Sequence, residues 1–256
     1  MTIFSCRAII YSIMSNYCHK RTYPLRYTDY DFKDELKISS LLSLVQEAAC
    51  TSADEIGFGY DALKPLNYGF ITVHTYGEFV TPVKLGDMLT VETWPLPPRH
   101  VIFERDYRVT NQKGEVVANL ASRWCLVDLK SFSLLTPDAL GEVHARCPYR
   151  AERTVEVPSW KIPKLGEDRR ETHRMTVGSS RCDHYFHANN TYYADFFLDC
   201  FTMSELSRPV KAFQIAYAKQ AKEGAELTFF RRDEGDSSIC ECWSGENLIA
   251  QFRIHL

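Results

Sequence analysis

The chain has 256 residues, 45% of them hydrophobic, which is enough for one large core or two small ones and argues against global disorder. Its net charge of −3, with no basic stripe or long single-sign run, argues against nucleic acid as the main partner. Nine cysteines, an odd number at irregular spacings, make no disulfide framework. Cys240-Glu241-Cys242 is too tight for a zinc pair, so the thiols are expected to be reduced and mostly buried, in the cytoplasm, with no metal or organic cofactor.

Residues 1–20 stand apart. Ile3, Phe4, Ala8, Ile9, Ile10, Ile13 and Met14 form an apolar patch around Arg7 that is shorter than a membrane span and lacks a small-residue cleavage site. The segment is expected to be a tail outside the fold, with Met14 as an alternative start. From about residue 36 to 56, Ile38, Leu41, Leu42, Val45, Ala48 and Ala49 recur at helical spacing, with Ser39 or Ser40 as cap and Gly57 as stop. Strand patterns follow at Phe70–Val80, Met88–Thr93, Val101–Val109 and Val116–Val127, the last two joined by the turn Asn111-Gln112-Lys113-Gly114. One apolar helix followed by a long antiparallel meander is the order of a hotdog unit.

Residues 136–172 lose all periodicity and are punctuated by Pro137, Pro148, Pro158 and Pro163, as expected of a linker long enough to cross the molecule. The first pattern then returns. Asp29-x-x-Phe32 is echoed by Asp183-x-x-Phe186, and a second helix is expected from about Asn190 to Ser207. Phe79-x-x-Pro82-x-x-x-Gly86-x-x-Leu89 is echoed by Tyr217-x-x-Gln220-x-x-x-Gly224-x-x-Leu227, and strands are expected at Ser238–Trp243 and Leu248–Ile254. The fold class is therefore α+β, a double hotdog: 21–135 as the first unit, 173–256 as the second. One hotdog sheet leaves edges unpaired, and fusing two units in one chain replaces a homodimer. The expected state is this internal pseudo-dimer, alone or as a homodimer.

The segment from Arg181 to Asn190 carries the candidate chemistry. Asp183 and His187 lie four apart where a loop meets a helix, and Asn189 or Asn190 can cap that helix. Free N–H groups at such a start point toward an anion, such as the oxyanion formed when water attacks a carbonyl. Asp183 can take the water's proton, and His187 can orient the thioester or share the proton. The same residues also serve ordinary caps and surfaces, and spacing alone does not separate the two roles. No Gly-x-Ser-x-Gly elbow is present, which argues against a serine hydrolase.

From Tyr23 to Leu256 the chain resembles the acyl-acyl carrier protein thioesterases of plants and bacteria. The resemblance runs through Phe70-Ile71-Thr72-Val73, Gly86-Asp87, Val91-Glu92-Thr93-Trp94, Arg105-Asp106-Tyr107, Gly114-Glu115 and Ala121-Ser122-Arg123-Trp124, then Asp183-x-x-x-His187-x-Asn189-Asn190 with Tyr193. It implies a double hotdog whose first unit holds the fatty chain and whose second supplies catalysis, releasing free fatty acid from the loaded carrier. The family motif is Asp-x-Asn-x-His-x-Asn-Asn, followed on the next long strand by a Glu, often with a Cys after it. Here Tyr185 replaces the first Asn, Gln220 falls at the Glu position and Ala221 at the Cys position. Ala221 rules out a cysteine acyl-enzyme there, and Gln220 can position water but cannot take its proton.

The implied catalytic set is Asp183, His187, Gln220 and Tyr185, with Asn189 and Asn190 toward the substrate. Leu42, Val45, Phe70 and Val73 are expected to line an apolar acyl tunnel. In the first unit Asp29 is matched to Asp183 and Lys33 to His187, which makes that unit the binding partner. Gln46 and Glu47 are expected to be exposed or to partner a polar core group. The alternatives are a non-catalytic or weakly active acyl-thioester-binding protein, favoured by Tyr185 and Gln220, and an acyl-CoA thioesterase. A hotdog dehydratase is disfavoured because 183–190 has neither Gly nor Pro.

Overall fold

The computed structural model describes residues 17–256. The first half contributes β1 (His19–Pro24), the long helix α1 (Ile38–Glu55), the short α2 (Tyr60–Leu63), β2 (Tyr68–Phe79), β3 (Met88–Pro95), β4 (Ile102–Thr110), β5 (Val116–Asp128) and the two-residue β6 (Leu134–Leu135). After α3 (Gly141–Arg146) come β7 (Arg170–Thr176), α4 (Tyr192–Leu198), β8 (Ala212–Tyr217), β9 (Glu226–Glu234), β10 (Ser237–Ser244) and β11 (Asn247–His255). The strands form one sheet in the order β1-β3-β4-β5-β2-β8-β11-β10-β9-β7, with β6 paired to β5. The order is the same five-strand pattern twice, meeting at β2 and β8, which run antiparallel with Thr75 opposite Ile215 and Gly77 opposite Phe213. This is a double hotdog.

Sequence alternation sets the two faces. Along β4, Phe103, Arg105, Tyr107 and Val109 face α1, while Glu104 and Asp106 face away. The apolar face of α1, with Leu41, Leu42, Val45, Ala48 and Ala49 all buried, packs into the curve of the first half-sheet. In the second unit, Phe197 stacks on Phe252 with ring centres 5.2 Å apart and meets Phe229 edge-on at 5.6 Å. At the seam, a Cβ on Gly77 would lie 2.7 Å from the Phe213 ring, so only glycine lets the two half-sheets join with that ring between them.

Three expectations are corrected. The tail expected over 1–20 ends sooner: His19 is buried and paired with Thr93 in β1, and the Tyr17 hydroxyl donates to Glu55 at 2.7 Å. The remaining residues 1–16, Met14 among them, lie outside the described part of the chain. The helix expected over Asn190–Ser207 stops at Leu198. Cys200 and Phe201 close tighter three-residue turns onto Phe197 and Leu198, and Thr202 and Glu205 then bond each other's backbone N–H groups. Finally, the second unit begins within the expected linker, at Arg170 of β7.

The rest of that linker crosses the outer face of the sheet. The Trp94 indole donates to the Glu152 carbonyl at 2.9 Å, and the Thr154 N–H donates to Asp106 at 2.7 Å. Gln214 donates to the Ser159 and Trp160 carbonyls, and the Leu165 N–H donates to buried Glu241 at 2.9 Å. Polar groups that the outward face of each strand would otherwise leave to water are thus covered and paired.

Candidate active site

The two units repeat one loop. In the first, Tyr30 and Leu36 form a bridge around a turn; in the second, Cys182 and Ala188 do so. The Asp31 N–H donates to the Glu35 carbonyl at 2.8 Å and the Asp183 N–H to the His187 carbonyl at 3.1 Å. Asp31 Oδ1 accepts the Lys33 N–H at 2.8 Å and Asp183 Oδ1 the Tyr185 N–H at 2.9 Å. Asp34 and Phe186 both sit at positive φ, 59° and 62°. The backbone therefore corrects the sequence match: Asp31, not Asp29, is the counterpart of Asp183, and Glu35, not Lys33, that of His187. The second echo holds, since Gly86 and Gly224 both take positive φ in the turn before β3 and β9.

The second-unit loop borders a groove of about 580 Å³ between the units. Asp183, Asn189, Thr191 and Asp195 form one wall, and the polar stripe of α1, Ser39, Ser43, Gln46, Glu47 and Cys50, forms the other. This stripe faces outward because the apolar face of α1 is spent on the sheet. Asp183 is held at both oxygens, with Oδ1 on the Tyr185 N–H and Oδ2 on Asn189 Nδ2 at 3.1 Å. Asn189 is oriented in turn, because its Oδ1 accepts both the Thr191 N–H at 3.0 Å and the Thr191 hydroxyl at 2.8 Å. A carboxylate steadied by donors on both sides and open to a groove can accept a proton from a bound water.

His187 is half-buried beside this wall. Its Nδ1 lies 3.2 Å from the Ala188 carbonyl, which can only accept, so the N–H is on Nδ1 and Nε2 is left with the lone pair. Its ring lies parallel to that of Tyr185, 6.1 Å away. Burial raises the Tyr185 hydroxyl above its ordinary value, with Tyr60, Cys50 and Asp183 adding to it, so Tyr185 is a donor at neutral pH. His184 is exposed and packs on Tyr185 and Tyr60. Burial also raises Asp195, against the Ser39 hydroxyl and Lys37. The Cys50 thiol is likewise pushed up by burial, with Glu47 and Asp54 adding, which disfavours a nucleophilic thiolate.

Several expected contributors stand elsewhere. The helix start does not offer the expected free donors: Thr191, Tyr192 and Tyr193 already give their N–H groups to Asn189 and Asn190. The Asn190 carbonyl accepts the Tyr217 hydroxyl at 3.0 Å. Gln220 is exposed and away from the groove lining; its neighbour Ala221 is buried and accepts the Ala188 N–H at 2.8 Å. Leu42 and Val45 fill the main core, Phe70 packs on Phe58 and Phe103, and Val73 is half-buried at the irregularity of β2. None of these four borders the groove, whose lining is mostly polar rather than apolar. Sequence reasoning did not place Ser43, Cys50, Thr191 or Asp195 at the groove. The signal was available in the spacing of Ser39, Ser43, Gln46 and Cys50 on one face of α1.

Fold and site together define a tandem hotdog protein with its candidate centre between the units. The model for the acyl-ACP thioesterase N-terminal domain matches residues 16–135. The chain is 20% identical over 249 residues to oleoyl-acyl carrier protein thioesterase 2, chloroplastic, of Arabidopsis thaliana, covering 90% of this chain and 67% of that protein. An acyl-ACP thioesterase from Bacteroides thetaiotaomicron superposes with a TM-score of 0.85 at 20% identity, covering 94% of this chain and 98% of the other. The 12:0-ACP thioesterase of Umbellularia californica superposes at 0.82 with 18% identity, covering 93% and 96%. The first part of the chain is thus similar to the acyl-ACP thioesterase N-terminal domain, and the whole chain shares the fold of these solved thioesterases.

Proposed function

We propose that this thioester hydrolase cleaves acyl-acyl carrier protein to free fatty acid and the carrier, with Asp183 as the group that takes the proton from the attacking water. The observation that supports it is the doubly held Asp183 carboxylate at the edge of the inter-unit groove. Asn189 aims the carboxylate. Tyr185, beside it, supplies a hydroxyl donor to the carbonyl oxygen, and His187 can share the water's proton through its Nε2 lone pair. Water added to the thioester carbonyl carbon breaks the C–S bond. The proton taken by Asp183 returns to the thiolate, so the enzyme ends unchanged. With no Cys at 221, the route is direct hydrolysis.

No helix among the described residues is long and apolar enough to cross a membrane, and the cytoplasm is the proposed place of the reaction. The test is purified protein incubated with acyl carrier protein loaded with saturated chains of graded length. Release of fatty acid supports the reading. Binding of loaded carrier without release makes the chain an acyl-thioester-binding protein instead, and release from acyl-CoA alone makes it an acyl-CoA thioesterase.

A further inference from the structure

Each unit buries one arginine at the same corner of its sheet, and the two are treated differently. Gly86 and Gly224 align β3 with β9, so that Thr93 matches Arg231 and Pro95 matches Asp233. The pairings Thr93 with Tyr107, and Arg231 with Cys240, then match Arg105 of β4 to Ser238 of β10. In the second unit, Arg231 is 5% exposed and fully compensated: Glu205 accepts at 2.7 Å, Asp233 at 2.6 Å and the Cys200 carbonyl at 3.1 Å. In the first unit, Arg105 is 7% exposed and meets only hydroxyls, Ser52 at 2.9 Å and Thr93 at 3.2 Å. The position that supplies Asp233 to Arg231 is filled by Pro95. No described carboxylate makes an ion pair with Arg105, and residues 1–16 contain no Asp or Glu. The acid its network does reach, Glu55, lies beyond both Ser52 and the Tyr17 hydroxyl and is engaged by His19.

A buried guanidinium without a counter-charge is costly unless something else completes it. Its surroundings indicate what that is. Arg105 lies on the inner face of β4 between Phe103, in the cluster of Phe58 and Leu126, and Tyr107 of the main core. Partly buried Phe70, Trp124, Cys147 and Tyr149 pack on that same cluster. The arginine also bonds Ser52, two residues along α1 from Cys50 of the groove wall. A cation set among buried and partly buried apolar groups fits a chain that is mostly hydrocarbon and carries one oxygen.

We propose that Arg105 binds an oxygen on the acyl chain remote from the thioester, a hydroxyl, keto or terminal carboxylate oxygen, so that the first unit selects oxygenated chains over plain ones. This rests on the first unit holding the acyl chain of a thioester. Calorimetric titration of the full chain with octanamide, decanamide and dodecanamide, whose head group is neutral, and with their ω-hydroxy and ω-carboxy counterparts, tests it without needing turnover. An oxygenated chain of at least one length is expected to bind roughly tenfold tighter than its plain counterpart. That preference should vanish in Arg105→Met. Equal affinity for plain and oxygenated chains at every length overturns the proposal, as does a preference that survives Arg105→Met. A preference seen without hydrolysis of any loaded carrier sinks the hydrolase reading and leaves this one standing. Melting supplies the control for a purely structural arginine. Arg105→Met is expected to melt no lower than the parent, whereas Arg231→Met, which strands Glu205 and Asp233, melts lower. A loss in Arg105→Met as large as that in Arg231→Met also overturns the proposal.

Discussion

Asn189 donates from Nδ2 to Asp183 Oδ2 at 3.1 Å, and Thr191 fixes the opposite end of the same amide. The aim of the carboxylate is therefore set by a side chain six residues on, at the foot of α4. Replacing Asn189 by Asp puts a like charge against Asp183, which favours its protonated form. The expected outcome is an acid limb of the pH–rate profile moved to higher pH, read from kcat/KM across the acid range. An unmoved limb would mean that Asp183 is not the titrating base.

Gln220 separates the geometry from the family pattern. Its side chain is exposed and the neighbouring Ala221 is the residue packed under the site loop. Gln220→Ala is expected to change kcat/KM by less than about twofold, as at an ordinary surface site. A loss of tenfold or more in steady-state turnover would return Gln220 to the catalytic set.

Glu241 anchors the linker from the sheet side. It is 1% exposed and accepts from the Leu165 N–H, the Trp243 indole and Gln251. Glu241→Ala leaves these donors buried and unpaired, so a loss of roughly 3 kcal/mol is expected in denaturant unfolding. Limited proteolysis should then cut first between residues 147 and 169, because that stretch has lost its hold.

Asp106 gives the fold an acid-range signature. It is fully buried under the linker, and burial pushes its carboxyl up to about 6, against the Thr154 N–H and Arg153, with Glu104 adding to the rise. A carboxyl raised in the folded state binds more protons folded than unfolded between its ordinary value and about 6. Its contribution to stability is therefore most favourable below that window, falls as pH rises through it, and is a constant penalty above it, on the order of 3 kcal/mol. Asp106→Asn keeps an acceptor for Thr154 and removes the titration. Thermal melts across the window should show a flatter pH dependence in the variant, and an unchanged slope would contradict the assignment.

How much of this was legible in the sequence depends on how each segment is stabilised. The helix α1 and the first-unit strands were readable because their burial is periodic. The edge strand β1 was not, since His19, Lys20 and Arg21 carry no apolar alternation and owe their place to pairing with β3. The linker was seen as aperiodic, but its path was invisible, because it is held by hydrogen bonds to Asp106, Gln214 and Glu241 rather than by a pattern of its own. The loop repeat is legible, but its letters align two residues out of register: Asp29 and Asp183 look alike, whereas the positive-φ residues Asp34 and Phe186 fix the backbone match. Asp183 and Asn189 were legible as candidates that share one loop. The polar wall opposite them was not, because a polar helix stripe reads as a solvated face until a second unit is laid across it.

The proposed hydrolysis turns on Asp183 as the proton acceptor. The most direct measurement is single-turnover hydrolysis of acyl-loaded carrier by Asp183→Asn beside the parent, with melting of both to show that the fold is kept. The variant retains an acceptor for the Tyr185 N–H but cannot take a proton. The expected result is a rate lower by roughly a hundredfold or more at an unchanged melting temperature. A variant that melts with the parent and turns over at the parent's rate would contradict the account.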